Sequence, residues 1–200
     1  MTKLKLRDEV TKLKWERTVE AAAQLFYDQG YEKTTLDAVA GQLGVAKPFI
    51  YTHFKSKADL LAEICTRGVN ASLVAIDDAL LIDTTPTEKL RCLSRNFVLA
   101  VLDNQLNIAI LLREEKHLEP QDLLRLSNLR RQFDSKLLAL LELGRAEGSF
   151  RLSDPDVAAL SIGGIVSWAH VWYRPQGRLD RETLAEEIAQ LILAMVGVTR

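Results

Sequence analysis

The sequence is poor in the residues from which catalytic and metal centres are built. Its three histidines, His53, His117 and His170, lie far apart and fit no metal-ligand spacing. Its two cysteines, Cys65 and Cys92, are also far apart and sit in apolar helical patterns, which indicates buried free thiols in a reducing cytosol. The sequence therefore predicts a protein that is not an enzyme and that needs no metal or cofactor.

The chain also lacks a charge imbalance and a long hydrophobic run. Lys and Arg number 26 and Asp and Glu 27, so the net charge of -1 gives no argument for a nucleic-acid partner. The longest apolar run, residues 157–173, contains Ser161, Ser167 and His170 and is too short for a convincing membrane span. The first residues alternate charge with Leu, unlike a signal peptide. We expect a cytoplasmic protein.

The hydrophobic periodicity is helical throughout, with no strand-like alternation. With 48% apolar residues among 200, the chain can bury a sizeable core in one or two small domains. The pattern predicts an all-α protein: a three-helix N-terminal domain, residues 1–56, and a six-helix bundle, residues 57–200. The nine predicted helices cover about 10–29, 36–43, 47–54, 57–81, 86–102, 106–117, 120–147, 155–173 and 181–195.

The most informative stretch runs from Thr34 to Lys57. Thr34 and Asp37 have the spacing of a capping box, which would start a helix that Gly44 ends. Whether Thr34 or the adjacent Thr35 caps this helix, and which of them meets a phosphate, stays open. Ala40, Gly44 and Ile50 supply a small contact residue, a turn glycine and a branched apolar plug. Two helices that cross steeply over a short turn need these three features, so the stretch predicts a helix-turn-helix.

Two short amphipathic helices joined by a glycine can also carry such a pattern without binding DNA. The outward face of the second helix favours DNA, because it is polar, aromatic and basic, and no carboxylate lies between Gln42 and Lys57. A merely solvated face would usually mix both charge signs. The predicted DNA-binding residues are Thr34, Thr35, Gln42, Ala46, Lys47, Pro48, Tyr51, Thr52, His53, Lys55 and Lys57.

Two further features could add phosphate contacts. The N-terminus of the fourth helix carries partial positive charge beside Lys57. A basic N-terminal arm could lie on phosphate or could equally be a solvated tail; its cations are Lys3, Lys5, Arg7, Lys12, Lys14 and Arg17.

A helix-turn-helix protein of this size reads a palindrome as a dimer, so it needs a twofold interface. The last two helices offer small residues and two indoles near the chain end, more apolar surface than one thin core needs. The alternative is that these residues simply pack on the fourth and seventh helices. The predicted interface residues are Gly164, Trp168, Trp172, Ile188, Leu191 and Met195.

A resemblance to a known family rests on residues 10–61, which include the stretch YEKTTLDAVAGQLGVAKPFIYTHFKSKADLL. This stretch closely resembles the DNA-binding segment of the TetR family of transcriptional regulators. The family pattern is similar to G-V-S-x-x-x-[IL]-Y-x-[HY]-F-x-[SN]-K-x-x-L, and residues 44–60 follow it with Ala46 in place of the commoner Ser. The resemblance implies that the second helix of the motif enters the major groove. Any contact that the Ser makes elsewhere does not carry over to Ala46.

The C-terminal part is similar to TetR-type repressors of fatty-acid, steroid and aromatic catabolism, above all in the WYRP-x-G stretch at 172–177. The resemblance implies a repressor that an acyl-CoA thioester releases from its operator. The residues themselves predict an elongated apolar ligand with an anionic end. Candidates for its site are Phe97, Val101, Ile108, Leu112 and Phe133 as apolar lining, Arg113 and Arg130 for the anion, and Trp168.

Other readings of the chain stay open. Each arginine could instead form a surface ion pair, with Glu114 or Glu142 nearby in sequence. An efflux regulator that binds cationic drugs would need buried carboxylates and more aromatic residues than helices five to seven offer. An activator, or a DNA-binding protein without a ligand, could use the same fold. A helical enzyme or carrier that has lost DNA binding is a rival from another class, and the basic face of residues 47–57 argues against it.

Overall fold

The computed structural model describes residues 3–198, with side chains from Glu9 onward, and every regular element in that range is helical. The nine α-helices of this range confirm the predicted all-α class. Their bounds are α1 Lys3–Gln29, α2 Leu36–Leu43, α3 Lys47–Tyr51, α4 Lys57–Leu81, α5 Pro86–Asp103, α6 Gln105–Glu114, α7 Pro120–Ala146, α8 Pro155–Trp172 and α9 Arg181–Met195. A short 3-10 turn, Glu115–His117, follows α6. None of these helices is long and apolar enough to cross a membrane.

The chain forms two compact units, and α4 runs from the first into the second. The first unit contains the described residues up to Thr66 together with Leu106–Leu123, and the second contains Arg67–Gln105 and the chain from Leu124 onward. The predicted domains, residues 1–56 and 57–200, stay a prediction. The compact units differ from them because the end of α6 bonds to the N-terminal helices, as described below.

α1 begins at Lys3, well before the predicted start near Val10. The expected N-terminal arm is therefore wrong as a separate segment for residues 3–9, whose backbone belongs to the helix. No Gly or Pro interrupts the sequence before Gly30, and its Leu, Lys, Arg and Glu residues favour a helix. Lys3, Lys5 and Arg7 are consequently residues of the α1 backbone rather than of a separate arm.

Two predicted helix ends are also corrected. α3 ends at Tyr51 rather than Phe54, since the Thr52 hydroxyl donates to the carbonyl of Phe49 at 2.6 Å and such local bonds compete with the helix ladder. α6 ends at Glu114, and the residues to His117 form the tighter 3-10 turn.

Of the two threonines left open as the cap of α2, Thr35 is the cap, and the capping box of Thr34 with Asp37 is wrong. Thr35 has the extended backbone of an N-cap, and its hydroxyl accepts a hydrogen bond from the amide of Ala38 at 3.1 Å. The Thr34 hydroxyl instead donates to the carbonyls of Leu25 and Gly30, at 3.3 and 2.9 Å. Thr34 thus ties the end of α1 to the following turn and takes no part in a capping box.

Four further helices begin at a side-chain cap. Ser56 accepts from the amide of Asp59 at 3.1 Å, and Thr85 accepts from the amide of Glu88 at 3.3 Å. Asp154 and Asp180 cap α8 and α9 in the same way. These bonds satisfy amides that a helix start would otherwise leave without partners.

In the second unit, α8 and α9 pack on α5. Ala185 and Ala189 are fully buried on α9, and residues this small allow two helices to approach closely. Ion pairs line the edge of the α5–α9 contact, with Arg95 to Glu182 at 2.5 Å. The outer faces of α8 and α9 remain exposed in the single chain.

Candidate nucleic-acid interface

The helix-turn-helix has the geometry that its sequence predicts. Gly44 adopts the left-handed backbone, with φ 66°, and Ala40 and Ile50 are buried. The Val45 amide donates to the carbonyl of Ala40 at 3.0 Å, which closes the end of α2. Phe54 stacks on Trp15 of α1, with ring centroids 6.1 Å apart. These apolar contacts fix α3 by one face and leave the other face to solvent.

The exposed face of α3 and its flanks, called the reading face below, carries most of the predicted DNA-binding residues. In a dimer, each copy of the reading face is one reading head. Tyr51 is 53% exposed, and His53 is half-buried with its ring edge-on to Phe49 at 5.6 Å. The remaining exposed members are Thr35, Gln42, Ala46, Lys47, Pro48, Thr52 and Lys55. Thr34 is only 1% exposed, so it does not belong to this surface.

Lys47 is not a free cation on the reading face. Its ammonium forms an ion pair with the carboxylate of Asp37 on α2. The pKa of Lys47 is raised because the ammonium donates a hydrogen bond to Asp37. Sequence reasoning missed this pair because it considered carboxylates only between residues 42 and 57. The predicted phosphate contact of Lys47 would therefore have to compete with Asp37.

Lys57 is also held by the protein itself. Its ammonium donates to the carbonyls of Tyr31 and Glu32, at 2.8 and 3.2 Å, and lies 4.2 Å from the centroid of the Tyr31 ring. Lys57 thus ties the start of α4 to the turn between α1 and α2. Its predicted phosphate contact stays a prediction.

A cation that was not among the predicted DNA-binding residues lies beside the recognition helix. The Lys14 ammonium on α1 sits 5.4 Å from the centroid of the Phe49 ring on α3. The only sequence signal for it was its place in the basic N-terminal stretch. The helical α1 brings this charge next to the reading face.

The predicted ligand residues divide between the two units. Phe97, Val101 and Phe133 are buried in the second unit, where the two phenylalanine rings lie 4.6 Å apart. Arg130 is exposed on α7, and Trp168 is exposed on α8.

The other three predicted ligand residues belong to the first unit. Ile108 is half-buried there and Leu112 is exposed. Arg113 pairs with Glu114 at 3.0 Å and also donates to the carbonyls of Phe26 and Tyr27. The ion pair that sequence reasoning weighed for Arg113 is therefore present.

The outer face of α8 and α9 is apolar and uncovered in the single chain. Trp168 is 62% exposed, and a side chain built on Gly164 would meet nothing within 4 Å. α8 also exposes Val157, Leu160 and Trp172, and α9 exposes Leu191 and Met195. Ile188 is the exception among the predicted interface residues: it is 4% exposed, because it lies on the inner face of α9. Exposed apolar residues of this kind are typical of an interaction face, and the dimer interface on α8 and α9 stays a prediction.

The fold and the exposed face of α3 define a DNA-binding transcriptional regulator with a helix-turn-helix. Comparison with known proteins agrees. Residues 19–64 match "Bacterial regulatory proteins, tetR family", and residues 83–196 match "Tetracyclin repressor-like, C-terminal domain". The chain belongs to the TetR family of transcriptional regulators.

Three relatives are similar over nearly the whole chain. The transcriptional repressor KstR2 of Rhodococcus jostii is 29% identical over 178 residues, which are 88% of this chain and 87% of the relative. The structure of PfmR from Thermus thermophilus is 32% identical with a TM-score of 0.80, covering 92% of this chain and 100% of that one. AibR, solved with isovaleryl coenzyme A and operator DNA, is 27% identical with a TM-score of 0.74, covering 92% and 97%.

Proposed function

We propose that this protein is a homodimeric transcriptional repressor that a small-molecule inducer releases from a palindromic operator in the cytoplasm. The observation that carries the proposal is the exposed face of α3, held in place by buried Ile50 and by Phe54. Lys47, Tyr51 and Lys55 project from this face or its flank. An α-helix fits the major groove, so these side chains are the candidates for base and phosphate contacts.

The dimer is supported by the outer face of α8 and α9. Leaving Trp168 and Leu160 in water is unfavourable, and a second copy of the same face would cover both. A twofold dimer presents two reading heads, so the operator should contain two half-sites. Their centres should lie about one helical turn, 34–36 Å, or a multiple of it apart.

An acyl-CoA thioester, or a similar apolar anion, is the inducer that fits best. The buried Phe97–Phe133 pair supplies apolar surroundings for an acyl chain, and exposed Arg130, which interacts with the Asp134 carboxylate, can bind phosphate or carboxylate oxygens in pairs. The relative AibR forms a complex with isovaleryl coenzyme A and operator DNA. We leave Arg113 out of the proposed ligand site, because its guanidinium already bonds to α1 and Glu114.

Release requires that the inducer bind the DNA-incompetent state more tightly than the DNA-competent one, since equal affinity for both states shifts nothing. α4 is the mechanical link, because it begins beside the helix-turn-helix and continues into the second unit. An inducer in the helices of the second unit would displace α4 and spoil the spacing of the two reading heads.

Selection of DNA by the purified protein from a random pool tests operator binding. The selected site is then titrated, as a protein–DNA complex, with acyl-CoAs, the matching free acids and lipophilic cations. Release by acyl-CoAs supports the proposal. Release by cations alone overturns the ligand class, and release by no compound favours a ligand-independent regulator or an activator on the same fold.

A further inference from the structure

Tyr31, in the turn between α1 and α2, is a meeting point of four elements. Its ring packs edge-on against Phe26 of α1, with centroids 5.2 Å apart, and lies tilted against His117 of the 3-10 turn, with centroids 4.9 Å apart. The Lys57 ammonium of α4 lies 4.2 Å from the centroid of the same ring. Its backbone amide points at the Glu114 carboxylate of α6, 3.5 Å away. Burial raises the pKa of the Tyr31 phenol, and the charges of Glu119 and Glu114 raise it further.

Arg113 holds this turn from the side of α6. Its Nη2 donates to the carbonyl of Phe26 and, at 2.9 Å, to that of Tyr27. These carbonyls lie in the last turn of α1, and that of Phe26 also accepts from the Gly30 amide at 3.0 Å. The guanidinium also lies 5.5 Å from the centroid of the Tyr27 ring. Arg113 therefore caps the C-terminus of α1 with a positive charge, which the helix dipole favours.

Glu114 keeps Arg113 in position. Glu114 is only 6% exposed. Its Oε1 accepts a hydrogen bond from Arg113 Nε at 3.0 Å, and its Oε2 lies 3.6 Å from His117 Nε2. A carboxylate this buried is tolerated only when it is paired, so Glu114 requires the cations and amides around it. Removing Arg113 leaves Glu114 with weaker partners and takes the positive charge from the end of α1, where the Gly30 amide and the Thr34 hydroxyl still donate to its carbonyls.

We propose that Arg113 and Glu114 are positioning residues for operator binding, which hold the α1–α2 turn and through it the helix-turn-helix without touching DNA. The turn leads directly to Thr35, the cap of α2, and is bonded through Lys57 to the start of α4. Fixing these two points pre-organises the reading head. If they are loosened, DNA must order them on binding, which lowers the affinity.

The proposal rests on DNA binding alone and needs no inducer, so a failure of the inducer assignment leaves it standing. The test compares full-length wild type with Arg113→Gln and Glu114→Gln, using the DNA site that wild type selects and no ligand. The matched control is Arg125→Gln, which removes another exposed arginine, on α7. Fluorescence anisotropy at several salt concentrations gives the affinity and its salt slope.

We expect Arg113→Gln to weaken operator binding by about fivefold or more, the lower end of what coupled sites show. The salt slope should stay that of wild type, because no phosphate contact is lost. Hydrogen exchange should be faster at the amides of residues 31–37 in Arg113→Gln than in wild type. Arg113→Lys, which can still donate to the two carbonyls, should recover part of the affinity, and Arg125→Gln should resemble wild type.

Two results overturn the proposal. One is operator affinity within twofold of wild type in both Arg113→Gln and Glu114→Gln. The other is a salt slope that falls by about 0.9, which is the loss of one phosphate contact and makes Arg113 a DNA ligand. Thermal unfolding separates a folding defect from a local one. If Glu114→Gln fails to fold, the exposed Arg113→Gln and Arg113→Lys variants decide the question alone.

Discussion

The reading face of α3 and the outer face of α8 are both exposed in the single chain, but their chemistry is opposite. α3 has five residues, buries Ile50, and exposes a lysine, a proline and a tyrosine. α8 has 18 residues, buries Ile162 and Val166, and still exposes large apolar side chains on its other side. An amphipathic helix is satisfied by one core, whereas a helix that is apolar all round needs protein on both sides. The two faces therefore predict two partners, DNA for α3 and a second copy of the chain for α8.

The largest expected effect is the loss of the dimer. Gly164→Arg places a charge on the apolar face, and within one chain there is room for it, because a Cβ there meets nothing within 4 Å. Any effect must then come from the partner. A buried unpaired charge costs about 3–5 kcal/mol, so we expect dimer affinity to fall by a factor of about 100 or more. Sedimentation measures it.

The control for this substitution is Ser127→Arg, at an exposed position of α7. It should leave both the dimer and the operator affinity as in wild type. A wild-type protein that sediments as a monomer, or a Gly164→Arg dimer of normal affinity, would remove α8 from the interface and break the contrast between the two faces.

The next effect is at the reading face. Lys47→Ala should weaken operator binding. If Lys47 contacts a base, the protein should lose about 1–3 kcal/mol of discrimination at one base position. If Lys47 contacts a phosphate, the salt slope of binding should be smaller by about 0.9. Asp37→Asn should act in the opposite direction, because it releases Lys47 from its ion pair and removes a negative charge near the DNA. Anisotropy at several salt concentrations checks both variants. Equal operator affinity in wild type, Lys47→Ala and Asp37→Asn would show that Lys47 does not contribute to DNA binding.

Lys57→Met sharpens the same comparison from the side of α4. The substitution removes the bonds to the carbonyls of Tyr31 and Glu32 but keeps an apolar stem of similar length. We expect a lower thermal midpoint, by the few degrees that about 1 kcal/mol represents, and operator binding that weakens with an unchanged salt slope. A reduced slope would instead support the phosphate contact predicted from the sequence.

The smallest effect concerns acid stability of the second unit. The pKa of Asp180 is lowered because the Thr183 amide and hydroxyl donate to it, and that of Glu186 is lowered by the Gln190 amide and by Arg91. A lowered folded-state pKa stabilises the fold above the unfolded pKa, about 4, and this contribution is lost as pH falls through the folded value. Relative to wild type, Asp180→Asn/Glu186→Gln should therefore melt slightly lower at pH 7 and nearly equally at pH 3. A gap that widens in acid would contradict the assignment.

Local sequence signals correctly predicted several features of the helices. Gly44 ends α2 in the left-handed conformation, and Pro86, Pro120 and Pro155 each stand at the first residue of a helix, as proline's fixed φ and missing amide favour. The apolar spacing of α2 and α3 likewise predicted the buried Ala40 and Ile50. Such features depend on a few neighbouring residues, so a sequence reveals them directly.

Helix ends and faces were less predictable. Thr34 and Thr35 are chemically alike and adjacent, and only the packing of Thr34 against the end of α1 made Thr35 the cap. Ile188 and Leu191 lie within one turn of α9, yet one is buried against the protomer and the other is exposed. Sequence periodicity gives the stripe of a helix but not which edge of that stripe a neighbouring helix covers.

The sequence by itself determined the number and order of the helices and the basic aromatic character of α3, because these follow from backbone geometry and side-chain type over a few residues. Only the tertiary structure decided the partners that charged side chains find far along the chain. Arg113 was a candidate ligand residue in the sequence, but folding brings it to the carbonyls of Phe26 and Tyr27, 87 and 86 residues away. A charge binds whatever complement lies within a few ångströms, and that distance is set by the packing of the whole unit.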